Sequence, residues 1–161
     1  KSFWRSAMVW EELERAGVPD VAGVYCPPEG NTRLLTVVAI RQRYPGHARQ
    51  AGMIASQCHA AAYLGRFTVV VDDDIDPTDM KDVWWAMTTR CDPAEDIEIL
   101  RRCWSGPLDP IIQRGKKGFN SRAIIDACRP YEWIKDFPAS VIVPPDLAQQ
   151  VRKKWGKQIL S

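Results

Sequence analysis

No stretch of this chain approaches the roughly twenty apolar residues that a helix needs to cross a bilayer, and its opening residues carry no secretory signal pattern. Cys-x-x-Cys pairs are missing too. The five cysteines, Cys26, Cys58, Cys91, Cys103 and Cys128, are an odd set without metal-ligand spacing, which argues against a disulfide framework and against structural zinc. A reduced, cytoplasmic setting is the expectation that follows. Nor is there an excess of one charge: 22 lysines and arginines are interspersed with 20 acids, so neither a nucleic-acid stripe nor a membrane-binding face is implied. Internal repeats and low-complexity segments are absent as well. What remains is a chain of 161 residues, 45% of them hydrophobic, long enough to bury one sizeable core, so a single domain is expected over 1–161. The chain opens at Lys1, directly in a helical pattern, which suggests part of a longer polypeptide.

The periodicities alternate. Phe3, Ala7, Trp10 and Leu13 fall at helical spacing and Gly17 with Pro19 supplies a stop, so residues 3–16 read as an amphipathic helix. Val21 to Cys26 reads as a short strand, Arg33 to Ile40 as a stronger one, Gly46 to Leu64 as a helix rich in small residues, and Arg66 to Val71 as an apolar strand. Strand, helix, strand over that span makes a βαβ unit with parallel strands and a right-handed crossover. Thr78 is placed to cap a helix running to about Thr89, with Asp79 and Asp82 in its first turn. Gly106 to Gly118 reads as loop, Arg122 to Ala127 as a short strand, and Asp146 as the cap of a last helix that carries Leu147, Val151 and Trp155 on one stripe. The fold class expected is a layered α/β/α domain around a central, partly parallel mixed sheet, with a leading helix (1–17), a core (18–143) and a trailing helix (144–161).

Two constellations carry chemistry. The first is Val69-Val-Val-Asp-Asp-Asp-Ile-Asp76, a buried strand that delivers four carboxylates at its carboxyl end, where open α/β sheets place ligands. Such acids can hold a hard divalent cation, as the Asp-x-Asp motif does in nucleotide-sugar transferases, or they can cap the next helix through a solvated turn. The second is Arg41-Gln-Arg-Tyr-Pro-Gly-His-Ala-Arg49. There two arginines leave a strand and a tight turn opens a helix, so backbone N–H groups and cationic side chains converge on a place suited to a phosphate or carboxylate. The plainer reading makes Arg41 and Arg43 alternating solvent-facing residues and His47 a hydrogen-bonding structural residue.

These two blocks, together with Trp84-Trp-Ala-Met-Thr-Thr-Arg-Cys-Asp-Pro93, Gly106-Pro-Leu-Asp-Pro110 and Ile125-Asp-Ala127, occur in the order and spacing of the UbiD-type decarboxylases, a family that the chain resembles from about residue 20 onward. The resemblance implies reversible, non-oxidative decarboxylation of an aromatic, heteroaromatic or α,β-unsaturated acid with prenylated FMN, a divalent metal such as manganese, and potassium. It also implies a homo-oligomer acting on a small carboxylic acid, with neither nucleic acid nor membrane insertion. The family's catalytic Glu-Arg-Glu set and its metal-ligating His and Glu belong to an upstream flavin-binding domain and have no counterpart here. By this likeness the chain is a C-terminal region that is inactive alone, and a non-catalytic binding or assembly module of the same fold is the alternative.

Residue by residue, the resemblance places Gly46, His47, Ala48 and Leu108 at the substrate pocket, Leu108 as a mobile apolar lid. Arg90 and Asp126 fall at the potassium site beside the cofactor phosphate. A phosphate-contacting lysine of the family falls on Gln42, a departure for which Arg41 or Arg43 could substitute. In that setting the Asp72–Asp76 cluster becomes structural, since the divalent ion is held elsewhere. Trp84, Trp85 and Trp104 read as core or interface aromatics. The last helix, with Arg152, Lys153 and Lys154 opposite its apolar stripe, reads as packing on a neighbouring subunit or the upstream domain, or as presenting a solvated face.

Overall fold

The computed structural model describes residues 2–116, 118–140 and 143–159. Five strands, β1 (Val21–Tyr25), β2 (Leu35–Ile40), β3 (Phe67–Asp72), β4 (Ile97–Trp104) and β5 (Phe119–Ala127), form one sheet in the order β1-β2-β3-β5-β4. The central three are parallel, with Ile40 opposite Asp72 and Val71 opposite Ala127, whereas β1 and β4 lie antiparallel at the two edges. The helices are α1 (Ser2–Arg15), α2 (His47–Gln57), α3 (His59–Ala62), α4 (Met80–Arg90) and α5 (Pro145–Ile159).

Alternation along the β-branched strands builds two core layers. Val38, Ile40 and Val70 share a cluster with α1, α2 and α3 through Val9, Leu13, Ala51, Ala55, Ala60 and Ala61, while Val37, Ala39, Val69 and Val71 meet Val83 and Ala86 of α4 on the opposite face. Both sheet faces are therefore covered, which explains the unbroken apolar runs Val37–Ile40 of β2 and Val69–Val71 of β3. Each fully buried valine contributes about 1.5–3 kcal/mol, and five of them, Val37, Val38, Val69, Val70 and Val71, lie on β2 and β3. The small residues of α2 set its distance from the sheet, since Ala48, Ala51, Gly52 and Ala55 are all buried.

Several sequence expectations are corrected by the structure. The helix expected from Gly46 to Leu64 breaks at Cys58, whose ψ of 153° is extended. The break turns the carbonyls of Ser56 and Ala62 toward the buried guanidinium of Arg122, which also donates to Trp104 O. Asp79, not Thr78, caps α4 by accepting from Lys81 N at 2.8 Å, and Thr78 bonds Asp76 instead. Helix α5 begins at Pro145, with Asp146 already in its first turn. Strand β4 has no counterpart in the sequence reading, because a register shift between Leu100 and Cys103, with Arg102 at a φ of 58°, breaks its alternation. Trp84, Trp85 and Trp104 are exposed and do not belong to this chain's core. Leu147, Val151 and Trp155 are exposed too, so the stripe of α5 stands uncovered. No helix among the described residues is long and apolar enough to cross a membrane.

Candidate functional site

The carboxyl ends of the three parallel strands converge on Asp72, which is 1% exposed. One of its oxygens accepts from Gln42 Nε2 at 2.8 Å; the other accepts from Arg129 N at 2.8 Å, Arg129 Nε at 2.9 Å and Arg90 Nη1 at 3.2 Å. Gln42 Nε2 also reaches Arg129 O at 2.8 Å, so the segments that follow β2 and β5 are tied to each other and to the end of β3. Arg90, its side chain 1% exposed, donates both terminal nitrogens to Asp74 at 2.8 Å and lies 5.1 Å from the ring centre of Trp85. These hydrogen bonds hold the Asp74 carboxyl below the ordinary carboxylate range, against the opposing effect of burial. Two carboxylates thus neutralise two guanidiniums, with Asp72 and Arg90 buried and Asp74 and Arg129 partly open to solvent. That is the geometry a buried ion pair needs to offset its hydration cost.

Beside this network lies a cleft of about 210 Å³ bounded by the start of α2, the end of β5 and the segments 95–98 and 129–132. Gln42 and Arg129, Gly46, Ala48 and Arg49, and Asp126 all line it. Burial pushes the Asp126 carboxyl up to about 6; the negative charges of Asp96 and Asp72 add to the effect and the Cys128 N–H opposes it. Glu95, Asp96, Glu98 and Glu132 also line the cleft, against the cations Arg49 and Arg129, and Arg49 is already engaged by Glu98 at 2.5 Å. The cleft lining is therefore rich in hard, anionic oxygen.

The structure treats the sequence candidates unequally. Gly46, Ala48 and Asp126 come together on the cleft wall, and Gln42 joins them. His47 is fully buried, with Nδ1 accepting from Arg43 N at 3.3 Å and its ring 4.6 Å from that of Tyr44; burial lowers its pKa. Arg90 pairs with Asp72 and Asp74, not with Asp126. Arg41 Nε donates to Asp73 at 2.8 Å, and Arg43 donates to both oxygens of Asp20, which holds that carboxyl low. Leu108, 75% exposed, lies in the β4–β5 connection, at the end of the sheet opposite the cleft. The acidic run is structural: Asp72, Asp73 and Asp74 are taken by arginines and Asp76 by Thr78. Among the described residues no group of three His, Cys, Asp or Glu side chains is placed to hold a metal, so the Asp-x-Asp transferase reading has no support here. Sequence reasoning missed Arg129. It lies two residues beyond β5, and the rule that singled out Asp72 at the end of β3 applies equally to it.

A mixed sheet with parallel central strands and a polar cleft beyond their carboxyl ends defines an open α/β domain, the class in which ligands bind at that end of the sheet. The family model described as 3-octaprenyl-4-hydroxybenzoate carboxy-lyase C-terminal domain, UbiD_C, matches residues 1–127, and the chain belongs to that family. Among solved structures it is similar to the UbiD-class enzyme HmfF from Pelotomaculum thermopropionicum in complex with FMN, with a TM-score of 0.77 and 28% identity over 90% of this chain and 31% of that one. An evolved dimeric form of HmfF in complex with prFMN matches with a TM-score of 0.67 and 26% identity, over 90% of this chain and 28% of that one. The 3,4-dihydroxybenzoic acid decarboxylase of Enterobacter cloacae shares the fold at a TM-score of 0.76 and 23% identity, over 93% of this chain and 32% of that one. The chain spans about a third of the length of these structures.

Proposed function

We propose that this chain is the C-terminal region of a prenylated-flavin-dependent, non-oxidative (de)carboxylase acting on an aromatic, heteroaromatic or α,β-unsaturated carboxylic acid. Residues 18–143 would be its α/β core, between a leading helix (1–17) and a trailing helix (144–161). The observation that carries this reading is the family match over residues 1–127, supported by the likeness to the FMN-bound UbiD-class enzyme. When bound, prenylated FMN supplies the electron sink that lets carbon dioxide leave. A cleft of about 210 Å³ takes a phosphate-sized group with a cation beside it, and the ring system would lie against the upstream flavin-binding domain.

Within this chain, the Gln42 amide and the Arg129 guanidinium would face the phosphate, with the first N–H groups of α2 nearby. Arg129 remains charged: burial opposes the charge, but the hydrogen bond to Asp72 and the neighbouring carboxylates raise its pKa. Potassium would sit at Asp126, screening that phosphate from the surrounding acids. Arg90 acts from behind by fixing Asp72 and Asp74. Arg41 or Arg43 could contact the phosphate only by leaving Asp73 or Asp20, a small cost for exposed pairs. Gly46 and Ala48 leave space for the acid. Manganese and the acid/base carboxylates belong to the upstream domain, so the chain alone would release no carbon dioxide.

The test is to express the full polypeptide that carries this chain with a source of prenylated flavin, record its absorbance, and follow carbon dioxide release from a panel of aryl and acrylic acids. Flavin that co-purifies, together with turnover of at least one acid, is the expected result. A protein free of flavin and inert toward the whole panel would overturn the reading. Asp126→Ala should weaken both flavin retention and potassium dependence; if both are unchanged, Asp126 is structural.

A further inference from the structure

At the opposite end of the sheet from the cleft, a groove of about 790 Å³ runs between α1 and the surface formed by Asn31–Arg33, α3 and the end of β4. Its aromatic walls are Trp4, 79% exposed, on α1, and Tyr63 and Trp104 across from it. Tyr63 is held in place: its ring centre lies 5.4 Å from that of Trp104, and it covers Gly106 so closely that a Cβ there would fall 2.2 Å from the ring. Met8, one turn on from Trp4, extends the apolar wall.

The charges of this groove are of one sign. Arg5 and Arg33 line it and no carboxylate does, the nearby Glu12 carboxylate being engaged by Ala60 N at 3.0 Å. Among the described residues neither arginine has a carboxylate partner within ion-pair distance: Arg5 donates to the carbonyl of Ala60, and Arg33 lies 5.5 Å from the Tyr63 ring centre. Burial lowers the pKa of Arg5, and the positive charge of Arg33 lowers it further, so two guanidiniums stand close enough to repel. Every other arginine of the walls and strand ends at the cleft is paired with an acid. An anionic oxygen group between Arg5 and Arg33 relieves that repulsion, and guanidinium forks suit a carboxylate or a phosphate. The exposed indoles of Trp4 and Trp104 next to those cations suit a flat ring, with the half-buried Tyr63 packed against Trp104.

We propose that this groove is a second ligand site, which takes a small aromatic anion with its ring on Trp4, Tyr63 and Trp104 and its carboxylate or phosphate on Arg5 and Arg33. The site is separate from the cleft and stands whatever that cleft binds. Benzoate and phenyl phosphate titrated calorimetrically into the full polypeptide distinguish the two anion sources. Cyclohexanecarboxylate, an anion without an aromatic ring, and benzamide, a ring without charge, serve as controls. At least one of the first pair should show a saturable step, weakened about tenfold or more in Arg33→Gln and in Trp4→Ala, and both controls should bind at least about tenfold more weakly. Trp4 is too exposed for its truncation to unfold the chain, and equal melting temperatures check this. The proposal is overturned by an absent step, by a step that both variants retain, or by cyclohexanecarboxylate binding as tightly as benzoate; a groove covered by the rest of the polypeptide gives the first of these.

Discussion

Gly52 of α2 faces Ile124 of β5 so closely that a methyl group on its Cα would lie 2.4 Å from the isoleucine Cγ2 and 3.1 Å from a Val70 methyl. In an exposed helix interior, glycine to alanine gains about 1 kcal/mol from propensity. Here the overlap outweighs that gain, and Gly52→Ala should cost about 1–3 kcal/mol in chemical denaturation. Unchanged or increased stability would show that α2 can move away from the sheet.

Removing the carboxylate on which the strand ends converge should be costly. Asp72→Ala strips Arg90 and Arg129 of a shared partner and leaves Gln42 with the Arg129 carbonyl alone. Breaking a buried pair in this way typically costs about 3–5 kcal/mol. A loss below about 1 kcal/mol would mean that Asp74 alone satisfies Arg90.

Asp126 gives a pH dependence of a definite direction. Its folded pKa of about 6 lies above the ordinary 3.8, so the folded chain binds this proton more tightly than the unfolded chain does. The stability it contributes is fully present below about pH 4 and is lost as the pH rises through about 6. Asp126→Asn, which does not ionise, should match the wild type near pH 4 and exceed it by about 2–3 kcal/mol at pH 8 in potassium-free buffer. Parallel stability curves for the two proteins would return this carboxyl to an ordinary pKa.

Leu108 is exposed, so it cannot be a core residue of this chain. Leu108→Ala should shift stability by no more than about 0.5 kcal/mol. If the residue closes over a substrate bound by another part of the polypeptide, the same variant should raise KM and admit bulkier acids. An unchanged substrate panel with an unchanged melting temperature would end the lid proposal.

The central strands, both edges of the βαβ unit and the leading helix were legible because β-branched runs and helical spacing report burial directly. Strand β4 was not, since the bulge near Arg102 moves consecutive side chains out of the period-two pattern on which such reading depends. The break at Cys58 was hidden for a different reason: its cause, Arg122, lies more than sixty residues away in the chain. At the cleft, Gly46, Ala48 and Asp126 were named only through the family resemblance, whereas Arg129 came into view only when the sheet brought three strand ends together. The tryptophans of α4 show the limit of composition, because a large ring contributes burial only if something packs on it.

Arg122 has a consequence for the order in which the chain can fold. Its guanidinium is satisfied by carbonyls at the end of α2, after α3 and at the end of β4, so its sequence partners lie 66, 60 and 18 residues away. Burial keeps its pKa below the ordinary arginine value, and its Nε has no hydrogen-bond partner among the described residues. A cation of this kind cannot be desolvated before all three acceptors are in place. The unit from β2 to β3, though it precedes β5 in the chain, therefore stays incomplete until β5 inserts beside β3, and that insertion couples the ends of α2, α3 and β4 in one step.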